Sequence, residues 1–197
     1  MPRTEEANQK VRDERRRHIV DVSVLVFARQ GLAATKIADI AAAGEMSQGV
    51  IYRYFTSKEE IFAAVLERAM QSTLRMGQEA LEREGSPLEK LRWLVQAMIS
   101  GLWSRTEYAL VVHDMLTNQA MPQEIREPAV EQAKAFRQII YQLIQEAQAA
   151  GEVSRRDDPM MLTVMVGACT EGLATQKMYM PNLPLPDPEI VLRMLKS

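Results

Sequence analysis

Two capping boxes, Ser57-Lys58-Glu59-Glu60 and Ser86-Pro87-Leu88-Glu89, set the fold class of this chain before anything else does. In each, a serine hydroxyl accepts from a backbone N–H three residues on, and a glutamate reaches back, so a helix must start there. Apolar residues follow at helical spacing: Ile61, Phe62, Val65, Leu66 and Ala69 after the first, Leu91, Leu94, Val95, Met98 and Leu102 after the second. Asp158-Pro159 and Asp187-Pro188 mark two more starts, with proline at the first helical position. Gly31, Gly85 and Gly151 stand where helices stop.

The spacing predicts an all-α chain of about nine helices. Residues 1–9 are polar and expected to fray. The first helix runs from Lys10 to Gln30; its Val20, Val22, Val24 and Val26 alternate like a strand, but some 20 residues is too long for one. Thr35 is expected to cap a second, shorter helix, with Ile37, Ile40 and Ala41 on its apolar face. Ser47 is expected to cap a third, from Gln48 to about Phe55. Longer helices follow, including one over about 107–117. The stretch from Met121-Pro122 to Glu127-Pro128 reads as a broken connector, because residues before proline avoid the helical region.

Composition narrows the function. The net charge of −2 rules out a globally basic nucleic-acid binder, so any DNA contact must be a local patch. Cys169, the single cysteine, cannot form an intramolecular disulfide. The polar N-terminus and the absence of an apolar run of about 18 residues predict a cytoplasmic chain with no membrane partner.

The local patch lies between Thr35 and Lys58. The third helix is too short to stand alone, and Ile51 and Phe55 form its inward face. Its outward face carries Gln48, Gly49, Tyr52 and Arg53. A helix, a short turn and a second helix of this kind can enter a major groove. Gln48 and Arg53 can bond base edges, and Thr35, Lys36, Tyr52, Tyr54 and Lys58 are spaced to hold phosphates. Gly49 lets the backbone approach closely, and no acid lies between Met46 and Lys58. A solvated basic face with half-buried tyrosines is the plainer alternative, and the joint spacing of these residue types favours DNA.

Ile19-Val20-Asp21, Phe27, Gly31, Ala34-Thr35, Ile37, Asp39-Ile40-Ala41, Ser47-Gln48-Gly49, Ile51-Tyr52-Arg53-Tyr54-Phe55 and Ser57-Lys58-Glu59-Glu60-Ile61 closely resemble the N-terminal domain of TetR-family transcriptional regulators. The resemblance covers about residues 12–70 without a gap. It implies a helix-turn-helix domain over 12–72 and a helical ligand-binding and dimerisation domain over 73–197. It implies a cytoplasmic homodimer that represses by binding a palindromic double-stranded operator, and that a small apolar or amphipathic effector releases. Thr35, Lys36, Ser47, Gln48, Gly49, Tyr52, Tyr54 and Lys58 match the family's DNA contacts. Glu45 stands where the family's turn carries glycine, so either Glu45 takes positive φ or the turn differs locally.

The second half shows no motif. Its aromatic and methionine-rich interior suggests an apolar pocket, with Trp93, Met98, Trp103, His113, Phe136, Met165 and Cys169 as the candidate lining. Tyr108, Met115, Tyr141 and Met161 belong to the same interior. The last two helices, with Met165, Cys169 and Leu173 on one and Ile190, Val191 and Leu195 on the other, are the expected homodimer face. Two histidines, one cysteine and no paired acids speak against an enzyme, a cofactor or a metal site. A helical adaptor that binds protein is the remaining alternative.

Overall fold

The computed structural model describes residues 5–118 and 121–195. Among them are nine helices: α1 (Glu5–Ala34), α2 (Ile37–Ala43), α3 (Gln48–Ile51), α4 (Lys58–Glu82), α5 (Pro87–Ser104), α6 (Thr106–Thr117), α7 (Gln123–Ala149), α8 (Pro159–Tyr179) and α9 (Glu189–Arg193). No helix among the described residues is long and apolar enough to cross a membrane.

The serine and aspartate caps form, and Ser86 and Glu89 close a full capping box, but Glu60 reaches one residue past Ser57 and accepts from Thr56 N–H instead. Ser57 Oγ accepts from Glu60 N at 3.1 Å, and Ser86 Oγ from Glu89 N at 3.4 Å while Glu89 returns a bond to Ser86 N. Asp158 Oδ1 accepts from the N–H groups of Met160 and Met161. Gly31 breaks α1 with φ 72 and ψ 171, a conformation no side chain favours.

Four expectations are corrected. Residues 5–9 are helical rather than frayed; residues 1–4 lie outside the described residues. Thr35 does not cap α2: Lys36 is the cap residue, its N–H bound by Asp39 Oδ2 at 2.8 Å. The regular part of α3 ends at Ile51, and a tight turn carries the chain on, with Phe55 N donating to Ile51 O. Pro128 lies inside α7 instead of ahead of it. Ile125 and Ala129 are buried on either side of that proline, and their burial outweighs the one lost backbone bond.

Two apolar cores result. The first joins α1–α4 with α6 and the start of α7, and centres on Phe27 and Phe62, whose rings meet edge to face at 5.0 Å. The second joins the end of α4 with α5, α7, α8 and α9. Gly77 lets α4 and α7 approach closely: a Cβ there would sit 2.8 Å from Ile139 Cδ1 and 3.0 Å from Phe136 Cδ2. An ion pair between Arg92 and Glu189 ties α5 to the start of α9.

Candidate functional site

The turn between α2 and α3 is built by hydrogen bonds that need one residue in the left-handed region. Met46 N donates to Ala41 O at 2.9 Å and Glu45 N to Ala42 O at 3.2 Å, the pairing of a Schellman cap. Glu45 fills the left-handed position with φ 50, while Gly44 keeps an ordinary φ of −96. So the turn keeps its geometry and accepts strain at a glutamate.

This turn delivers α3 with two distinct faces. Ile51 and Phe55 are buried completely against the first core, and Arg16 of α1 stacks on the Phe55 ring at 4.7 Å. Ser47, Gln48, Gly49, Tyr52 and Arg53 are exposed, as is Lys36 at the start of α2; Tyr54 is half-buried. Tyr52 presents 55 % of its surface, unusual for a large aromatic. A Cβ at Gly49 would meet nothing closer than Ser47 Oγ at 3.8 Å, so nothing inside the chain requires glycine there. Ser47 Oγ accepts from Val50 N and caps the helix.

Two residues expected among the phosphate contacts turn inward. Thr35 is buried, and its hydroxyl donates to Gly31 O at 2.7 Å. Lys58 Nζ donates to the carbonyls of Leu32, Ala33 and Thr35 at 2.8–3.0 Å. These carbonyls lie past the break at Gly31, two in the last residues of α1 and the third just beyond its end, where backbone carbonyls are left without helical partners. A cation at the first position of α4 would by itself oppose that helix's dipole; satisfying the end of α1 explains it. Gln30, which carries no sequence signal, joins the network by donating to Thr35 Oγ1 and Asp39 Oδ2. The Asp39 carboxyl lies below its ordinary range because it accepts from Lys36 N–H and then from Gln30.

A second site lies behind this one. A cavity of about 760 Å³ opens between α4, α5, α6, α7 and α8. Met98, His113 and Phe136 line it, as the sequence suggested. Trp93, Trp103, Met165 and Cys169 do not. Arg83 stacks over Trp93 at 4.5 Å. Trp103 donates from its indole to Leu183 O and lies under Lys177. Met165 is exposed, and Cys169 packs on the second core. Tyr108, Met115, Arg68, Arg105, Arg137 and Gln132 are the informative lining residues instead. One signal was present in sequence: Thr163, Gly167, Thr170 and Ala174 form a stripe of small residues along α8, and that stripe is one cavity wall.

The face expected to hold a partner subunit also divides. Val191 and Leu195 are buried in the chain's own second core, and Cys169 and Leu173 pack against it. On these two helices the large apolar side chains left exposed are Met160, Met161, Val164, Met165 and Tyr179 on α8, and Ile190 on α9.

The family model for bacterial regulatory proteins of the tetR family matches residues 19–65, and the model for the tetracyclin repressor-like C-terminal domain matches residues 84–175. The chain is 31% identical over 100 residues to the HTH-type transcriptional repressor KstR2 of Mycolicibacterium smegmatis, covering 51% of this chain and 49% of KstR2. The chain thus spans about half the length of that relative. The transcriptional regulator FadR from Bacillus subtilis, solved with stearoyl-CoA, superposes with a TM-score of 0.73 at 24% identity, over 91% of this chain and 97% of FadR. AibR, solved with isovaleryl coenzyme A and operator DNA, superposes with a TM-score of 0.73 at 19% identity, over 92% and 96%.

Proposed function

This chain belongs to the tetR family of bacterial regulatory proteins, and we propose that it is a homodimeric repressor that binds a palindromic operator and lets go when a small amphipathic effector fills its cavity. The observation that carries the proposal is the outward face of α3. Gln48, Gly49, Tyr52 and Arg53 are exposed together, while Ile51 and Phe55 are held in the core.

In this reading Gln48 and Arg53 read base edges in the major groove. Lys36, Ser47, Tyr52 and Tyr54 contact phosphates and set the register. Gly49 admits the sugar-phosphate backbone. Thr35 and Lys58 act one step removed, by fixing the junction from which α2 starts. The unit that does this is residues 12–72, and residues 73–197 hold the effector and the partner subunit. Two-fold pairing runs through α8, whose exposed Met160, Met161, Val164 and Met165 fall together on one side of the helix. Such a repressor works in the cytoplasm.

The cavity volume suits a small-molecule site, for which about 300–1,000 Å³ is usual. The stearoyl-CoA bound to FadR and the isovaleryl coenzyme A bound to AibR favour an acyl thioester over other amphiphiles. The test is titration of the protein against labelled DNA from upstream of its own gene, at low and at raised salt. Binding that weakens steeply with salt is expected. Folded protein that leaves this DNA unshifted at low salt overturns the repressor reading and favours a protein-binding adaptor.

A further inference from the structure

We infer that the Arg68 guanidinium serves two competing anions: the Asp21 carboxylate of α1, and the head group of a long-chain anionic amphiphile in the cavity. The inference rests on the reading of the cavity as the effector site. It adds the charge of the effector and the contact through which the effector reaches the DNA-binding helices.

Arg68 lies on α4 and lines the cavity. Its Nη1 lies 2.6 Å from Asp21 Oδ1, on the helix that carries the first core. The contact is an ion pair without the alignment of a hydrogen bond, since Nη1 is buried and makes none. Nη1 itself is shielded, but the two side chains as wholes remain 38 % and 49 % exposed, so solvent around the rest of the pair screens it and limits its strength. A second carboxylate or phosphate entering from the cavity side meets a cation whose present partner is weakly bound.

The cavity is built to admit such a group. Arg68, Arg75, Arg105 and Arg137 line it against one acid, Glu171. The remaining wall is mostly apolar, with Met70, Met76, Met98, Met115 and Phe136 able to mould to an alkyl chain. The Tyr108 phenol stands in the same wall and feels both Arg68 and Asp21. Burial is the first cause holding its pKa above the ordinary value, so it stays a neutral donor beside the pair. An anion that takes Arg68 therefore frees Asp21, and with it one tie between α1 and α4.

The test uses the full chain and three probes below their micelle concentrations: palmitate, palmitoyl-CoA and uncharged methyl palmitate. Binding is read by calorimetry for wild type, Asp21→Asn and Arg68→Gln. Both positions are partly exposed, so the variants fold. Asp21→Asn removes the competitor. It is expected to tighten a charged probe by roughly two- to fivefold, the reach of one exposed ion pair, and to leave methyl palmitate unchanged. Arg68→Gln is expected to reduce the preference for charged over uncharged probe, with Arg75, Arg105 and Arg137 keeping the remainder. Which charged probe binds tells a carboxylate head group from a coenzyme A phosphate. Asp21→Asn binding the charged probes as wild type does, or gaining equally for methyl palmitate, overturns the shared arginine and leaves the effector reading standing. Wild type that binds none of the three overturns both.

Discussion

Lys58, the first residue of α4, donates from Nζ to the carbonyl oxygen of Thr35, 2.9 Å away and 23 residues earlier. The same ammonium reaches the carbonyls of Leu32 and Ala33. One cation therefore closes the end of α1 and fixes the start of α2, the support for the recognition helix. Lys58→Met is expected to lower stability by about 1–2 kcal/mol, since three carbonyls lose a charged donor at a partly solvated site. Its DNA affinity should fall with the slope of log K against log salt unchanged. A slope reduced by about one would show instead that Lys58 binds a phosphate.

Gly49 and Gly77 answer the same substitution in opposite ways. At Gly49 a methyl group meets open space, so Gly49→Ala should fold with equal stability or gain up to about 1 kcal/mol from helix propensity. Its DNA affinity should drop by roughly tenfold, because the methyl group intrudes only on an outside partner. Unchanged operator binding by the alanine variant would remove Gly49 from the interface.

At Gly77 the methyl group meets Ile139 and Phe136 within van der Waals contact. Gly77→Ala should cost about 1–3 kcal/mol by pushing α4 from α7. Phe136 also lines the cavity, so effector affinity should move with stability. Thermal unfolding at wild-type temperature would refute the close approach.

Glu45 at φ 50 occupies a position that glycine fills without strain. Glu45→Gly should raise stability by about 0.5–1 kcal/mol, the relief of left-handed backbone less the entropy glycine adds to the unfolded chain. Urea unfolding midpoints decide it; a variant no more stable than wild type would mean that the turn carries no strain at Glu45.

The starts of α4, α5 and α8 and the break at Gly31 were legible because each is local chemistry: Ser57, Ser86 and Asp158 satisfy N–H groups within four residues, and Gly31 supplies a φ that its neighbours cannot. The outward face of α3 was legible for a related reason, since Ile51 and Phe55 fix its rotation by helical spacing alone. Lys58 was not. Its charge reads as a surface cation until the fold brings the end of α1 beside it. Trp93 and Trp103 pack on the second core and not along the cavity, because a large ring signals burial without saying on which side of its helix. The cavity depends on how five helices rotate against one another, and only the small-residue stripe of α8 announces that in one dimension. Pro128 shows the converse, a local breaker overruled by tertiary burial at Ile125 and Ala129.

Glu60 should make the recognition domain acid-sensitive in a defined window. Its carboxylate accepts from Thr56 N–H at 2.6 Å and from the Thr56 hydroxyl at 2.8 Å, and Arg16 adds a favourable charge. The backbone bond is the first cause holding its pKa below the ordinary glutamate value of 4.5. A carboxyl more acidic when folded than when unfolded stabilises the fold fully above its unfolded pKa. That contribution is lost as pH falls through the folded pKa. Wild type should therefore exceed Glu60→Gln in stability at pH 7, by an amount kept small by solvent. The gap should begin to narrow below about pH 4.5 and close once Glu60 is protonated in both states. Urea unfolding of both proteins from pH 7 down to pH 3 measures this. A gap that stays constant or widens toward acid would mean that Glu60 acts through packing rather than through its charge.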